Sequence, residues 1–175
     1  DEYLHPDKIN LQDPEIYANI FHKGKWAGIF QFTEKGAQKF CKRARPKSII
    51  DISAITSIYR PGPLSANVDQ NYVSAKSRPQ DISYLNDIVR EVTKETYGFL
   101  IFQEQIALLA HKLGDNISLD EGNTLRKLLT KKGTGDHEKK KAKIYNKFIK
   151  GSLAKGLSEG DAEKLWQTFE YFSGY

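Results

Sequence analysis

The sequence predicts a mainly α, multi-helix fold with room for one short β-hairpin, and three observations carry that expectation. Apolar residues recur at intervals of three and four over most of the chain, helix-starting residues stand just before those runs, and Gly or Pro follows them. With 175 residues, 39% of them hydrophobic, the chain can build one ordinary domain or two small lobes. Its landmarks divide into a first part, 1–80, and a second, strongly helical part, 81–175.

Asp13-Pro14-Glu15 opens the first helix, with Asp13 placed to accept from free backbone N–H groups and Pro14 where no N–H is missed. Ile16, Tyr17 and Ile20 line one face before Gly24. Trp26 to Phe32 carries aromatics on alternate positions, the pattern of a short extended segment packed on one side. Ala37, Phe40, Cys41 and Ala44 then return to helical spacing until Pro46, with Cys41 on the buried side as a small apolar residue. A further helix spans Ile49 to Ile58 and is halted by Arg60-Pro61-Gly62-Pro63, read as a rigid turn that presents Arg60. The polar stretch from Ser65 to Pro79 reads as a loop with short helical pieces.

In the second part the brief apolar run Phe99 to Phe102 leads into a helix marked by Ile106, Leu109, Ala110 and Leu113 and closed by Gly114. The triplet Gln103-Glu104-Gln105 at its start reads as architectural, Glu104 favouring the positive helix end and the glutamines bonding backbone. Ser118-Leu119-Asp120-Glu121 is a capping box. In the helix it opens, Leu125, Leu128 and Leu129 fall on one side, with Asn123, Arg126, Lys127, Thr130 and Lys131 opposite. After Gly133-Thr134-Gly135 another helix turns Ile144, Tyr145, Phe148 and Ile149 inward. Ser158 opens the last, whose Ala162, Leu165, Trp166, Phe169 and Phe172 form a bulky apolar face open to self-association if nothing in the chain covers it.

Composition excludes several classes. No apolar run approaches the roughly 18 to 20 residues that cross a bilayer, so no membrane partner is expected. One cysteine allows no internal disulfide, and four histidines scattered along the chain offer no metal-ligand spacing, which fits a reducing, cytoplasmic setting. The absence of any methionine and the ending straight after an aromatic stretch read as an excerpt of a longer polypeptide.

Charge is uneven. From Arg126 to Lys155 there are eleven Lys and Arg against two acids, a net +9 in a chain of +5. Such a concentration attracts polyanions, because each phosphate neutralised releases condensed counterions. A solvated lysine-rich face accounts for the charge equally well, and charge alone does not separate the two.

Four landmarks, in order and in register, are GIFQF at Gly28 to Phe32, YRPGPL at Tyr59 to Leu64, YGFLIFQEQI at Tyr97 to Ile106, and LRKLLTKK at Leu125 to Lys132. Together they resemble the alpha subunits of bacterial DNA polymerase III, the C-family of replicative DNA polymerases, over nearly the whole chain. In that family they lie in the fingers domain, which closes over the incoming deoxynucleoside triphosphate (dNTP), while the metal-binding aspartates sit in a palm domain earlier in the chain.

The resemblance implies part of a DNA-directed DNA polymerase, a nucleotidyltransferase of DNA replication. The partners implied are primer-template DNA, dNTP, the other domains of the same polymerase, and the sliding clamp and replisome subunits. Mg2+ is expected in the intact polymerase and no cofactor in this segment. Two-metal phosphoryl transfer needs converging carboxylates, and no Asp-x-Asp pair on an apolar strand occurs here, so no catalytic residue is assigned and the segment alone is expected to be inactive.

At LRK the family has two adjacent arginines that approach the triphosphate, matched here by Arg126 and Lys127. The lysine keeps the charge but loses the bidentate fork. Lys131 shares their face, and the three are assigned to the nucleotide. Lys132, Lys139, Lys140, Lys141 and Lys143 are assigned to template or primer phosphates, with surface solvation as the alternative. Arg60 is assigned to DNA, with donation to carbonyls freed by the prolines as the alternative. Two other classes stay open: a free-standing helical nucleic-acid binding module, and a helical protein-interaction domain whose lysines are incidental.

Overall fold

A computed structural model describes residues 5–130 and 135–171. The chain divides into two compact units, Asp1–Ser77 and Arg78–Tyr175. Both are helical, and no strand occurs among the described residues.

In the first unit α1 (Pro14–Ile16) passes into a π-helical turn, Tyr17–His22, and is followed by α2 (Lys35–Ala44), α3 (Ile49–Ile58), α4 (Pro61–Ser65) and α5 (Val68–Ser77). The Asp13 carboxylate accepts the Glu15 N–H at 2.9 Å, as the sequence suggests. Ala37, Phe40, Cys41 and Ala44 all turn inward from α2, and burial pushes the Cys41 thiol up to about 12, so it is inert packing rather than a nucleophile.

Three expectations need correction here. Trp26 to Phe32 is not extended: Gln31 is left-handed at φ 65°, and Ile29 and Phe32 donate back to the carbonyls of Trp26 and Ile29. The aromatic alternation therefore does not line one face. Trp26 stacks on Phe32 with ring centroids 5.5 Å apart, while Phe30 stands 84% exposed. The Pro61-Gly62-Pro63 segment is not a turn but the first residues of α4, because proline at the first helical position forfeits no hydrogen bond; Arg60 before it is extended.

The third is Ser65 to Pro79, which contains the ten-residue α5 instead of a loop. That helix is anchored by one aromatic side chain, Tyr72, fully buried against Phe40. Its hydroxyl donates to the buried Asp51 carboxylate, which also accepts from the Lys76 ammonium at 2.5 Å and the Lys47 N–H. A single tyrosine and a buried ion pair leave no periodic apolar signal, so polarity misled the sequence reading.

The second unit contains α6 (Asp87–Thr93), α7 (Gln103–Leu113), α8 (Leu119–Thr130), α9 (Gly135–Ala154) and α10 (Glu159–Tyr171). Its core joins Val89, Ile106, Leu109, Leu113, Leu125, Phe148, Trp166 and Phe169. Trp166 and Phe169 are buried against Phe148, with centroids 5.5 and 5.2 Å away, so this part of the α10 aromatic face is not open to self-association; Phe172 lies outside the described residues. No helix among the described residues is long and apolar enough to cross a membrane.

Candidate functional site

The cationic region is built on the α7–α8 hairpin and the long helix α9. The Ser118 hydroxyl accepts the Glu121 N–H at 3.1 Å and the Glu121 carboxylate accepts the Ser118 N–H at 3.0 Å, starting α8 as the capping box predicts. α8 then runs back along α7 at close range. A β-carbon on Gly122 would lie 2.5 Å from the Ala107 carbonyl oxygen, so the residue there must be glycine for the backbones to approach. One turn further on, Arg126 comes opposite Glu104.

Leu125 is fully buried, and Leu128 and Leu129 pack against the core, so α8 turns its leucine side inward as expected. Arg126 is not simply presented to solvent. Its side chain is 25% exposed and its Nη1 donates to the Glu104 carboxylate at 3.1 Å, while its buried Nε has no partner among the described residues. Lys127 is exposed, and Lys131 and Lys132 lie outside the described residues.

Along α9 the lysines divide into two sets. Lys147 bonds Glu121 at 2.7 Å, Lys150 bonds Asp115 at 2.6 Å, and Lys155, just past α9, donates to the carbonyls of Leu113 and Gly114 at the C-terminal end of α7. These three fasten the α7–α8 turn to α9. The Lys147 hydrogen bond, with the Ser118 N–H, holds the Glu121 carboxyl below its ordinary value, and Lys150 does the same for Asp115. Nearer the start of α9, Lys139, Lys140 and Lys143 are exposed and carry no ion pair among the described residues. Lys141, between them in sequence, turns aside to Glu170 on α10 at 2.7 Å.

Gln105 organises the third landmark. It is buried, accepts the N–H groups of Ile101 and Phe102 at 2.8 and 2.9 Å, and donates to the Val92 carbonyl and the Thr96 hydroxyl. The architectural reading of the triplet therefore holds for Gln105. Glu104 escaped that reading as the partner of Arg126, since nothing in sequence marks a pair 22 residues apart across a hairpin.

Arg60 belongs to the first unit and is exposed at the rim of a cleft of about 500 Å³. Gln31, Phe32, Tyr59 and Leu64 also line it, which brings the first two landmarks together. Among the described residues no group of three or more His, Cys, Asp or Glu converges as a metal site.

The model of the bacterial DNA polymerase III alpha subunit finger domain matches residues 1–152. DNA polymerase III subunit alpha of Aquifex aeolicus is 33% identical over 168 residues, covering 96% of this chain and 14% of the relative. The subunits of Rickettsia bellii and Treponema pallidum are each 33% identical over 167 residues, covering 95% of this chain. The chain thus spans about 14% of the length of these relatives.

Proposed function

The chain belongs to the family of bacterial DNA polymerase III alpha subunit finger domains, and from that membership we propose that it binds the triphosphate of an incoming dNTP and the phosphates of primer-template DNA. The whole polypeptide would be a DNA-directed DNA polymerase of replication, a cytoplasmic nucleotidyltransferase working with a sliding clamp and other replisome subunits. The single observation that supports the nucleotide assignment best is the α8 face, where Arg126 and Lys127 follow a fully buried leucine and so ride on a helix fixed in the core.

Arg126 and Lys127, with Lys131 outside the described residues, would offset charge on the non-bridging oxygens of the triphosphate and on the pyrophosphate as it forms. Lys127 acts as a point charge where an arginine would bind as a fork. Lys139, Lys140 and Lys143 would contact backbone phosphates, as would Lys132 and Arg60, whereas Lys141 would first have to leave Glu170. Mg2+ accompanying the nucleotide would be held by carboxylates elsewhere in the polypeptide, and the segment alone would bind without catalysing.

Primer extension by the full-length polypeptide tests this. Arg126→Ala and Lys127→Ala should raise KM for dNTP, and Lys127→Arg should retain function. Unchanged extension kinetics in both alanine variants would remove the nucleotide role.

A further inference from the structure

We propose that Glu104 is a positioning residue that sets nucleotide affinity: in the unliganded chain its carboxylate holds the place on Arg126 that a phosphate oxygen takes. The inference rests on the nucleotide reading of Arg126 and adds a residue that composition and periodicity do not mark.

Three features of the pair carry it. The first is register, because the approach of Gly122 to Ala107 sets Arg126 against Glu104 one turn along the same antiparallel seam. The second is asymmetry. The Arg126 side chain is 25% exposed and lies against the hairpin, whereas that of Glu104 is 72% exposed and can withdraw into water at little cost.

The third is incompleteness. The Glu104 carboxylate engages Nη1 alone among the guanidinium donors. The end of a guanidinium presents Nη1 and Nη2 as parallel donors suited to two oxygens, and a phosphate can take both where this carboxylate takes one. Exchange of Glu104 for phosphate therefore gains a hydrogen bond and exchanges one negative charge for several. The withdrawn carboxylate would also remain favourably placed, since it sits in the first turn of α7, where the helix dipole favours an anion.

The carboxylate is thus a built-in competitor. It keeps Arg126 aligned along the seam before nucleotide arrives and raises the nucleotide concentration needed to claim it. Removing its charge while keeping its shape should tighten nucleotide binding, and only while Arg126 is present.

The test is steady-state single-nucleotide extension by the full-length polypeptide carrying Glu104→Gln, Glu104→Asp, Arg126→Ala, or Glu104→Gln with Arg126→Ala. Glu104→Gln should lower KM for dNTP about twofold to fivefold, the scale of one exposed ion pair, with kcat unchanged. Glu104→Asp should keep the wild-type KM, and Glu104→Gln should have no effect in the Arg126→Ala background. An unchanged or raised KM in Glu104→Gln, or a decrease matched by Glu104→Asp, overturns the proposal. If Arg126→Ala raises KM but Glu104→Gln does nothing, only the Glu104 inference falls; if Arg126→Ala leaves KM unchanged, the nucleotide reading falls with it.

Discussion

The backbone of Gly122 lies against the carbonyl of Ala107 so closely that a β-carbon would come within 2.5 Å of the oxygen. The carbonyl belongs to the body of α7 and cannot turn aside, so a larger residue has to push the two helices apart. Because Arg126 follows Gly122 by one turn, that separation also moves it from Glu104.

Gly122→Ala should therefore destabilise the second unit by about 1–3 kcal/mol through overpacking, despite the better helix propensity of alanine. The chain has two tryptophans, Trp26 in the first unit and Trp166 in the second. Denaturant unfolding followed by Trp166 fluorescence in a Trp26→Phe background reads the second unit separately. An unchanged midpoint would mean that α7 and α8 are not held at this distance.

Gln105→Leu should cost about 3 kcal/mol, because the N–H groups of Ile101 and Phe102 lose their acceptor inside the fold. Gln105→Glu keeps an acceptor but loses the donors to Val92 and Thr96, so its cost should fall between wild type and leucine. The same Trp166 transition measures both.

Binding to primed DNA should separate the two sets of α9 lysines. Replacing Lys139, Lys140 and Lys143 together by alanine should reduce the slope of log K against log salt by about 2 to 3 while leaving thermal unfolding nearly unchanged. Lys147→Ala and Lys150→Ala should do the reverse, lowering stability by loosening Glu121 and Asp115 while preserving the slope. A titration series in salt with each variant gives both readouts.

Acid should weaken the second unit through the carboxylates that fasten α9. Lys147 depresses Glu121 from its ordinary 4.5 and Lys150 depresses Asp115 from 3.8. The unfolded chain therefore binds these protons at higher pH than the folded chain does. Their stabilisation is present above the ordinary values and is lost as pH falls through them to the depressed folded values. Unfolding midpoints measured from neutral pH downward should decline below about pH 5, and Glu121→Gln with Asp115→Asn should flatten the decline.

How much of this was legible in the sequence depended on whether a signal was local. The Ser118 box, the Asp13 cap and the inward faces of α2, α8 and α10 follow from neighbours two to four residues apart, so they were readable directly. Trp26 to Phe32 was misread because alternation describes a strand only if the backbone stays extended, and the left-handed Gln31 breaks it. α5 was missed because its anchor is a contact between Tyr72 and Asp51, 21 residues apart.

By itself the sequence determined a helical chain of the polymerase III alpha finger family and the concentration of positive charge between Arg126 and Lys155. Periodicity and motif order are properties of the covalent chain and need no partner. Only the tertiary structure decided which cations are committed: Arg126 to Glu104, Lys141 to Glu170, Lys147 to Glu121 and Lys150 to Asp115, with Lys139, Lys140 and Lys143 left facing solvent. An ion pair depends on which helix face meets which, and that is settled by how the apolar sides close on one another in three dimensions.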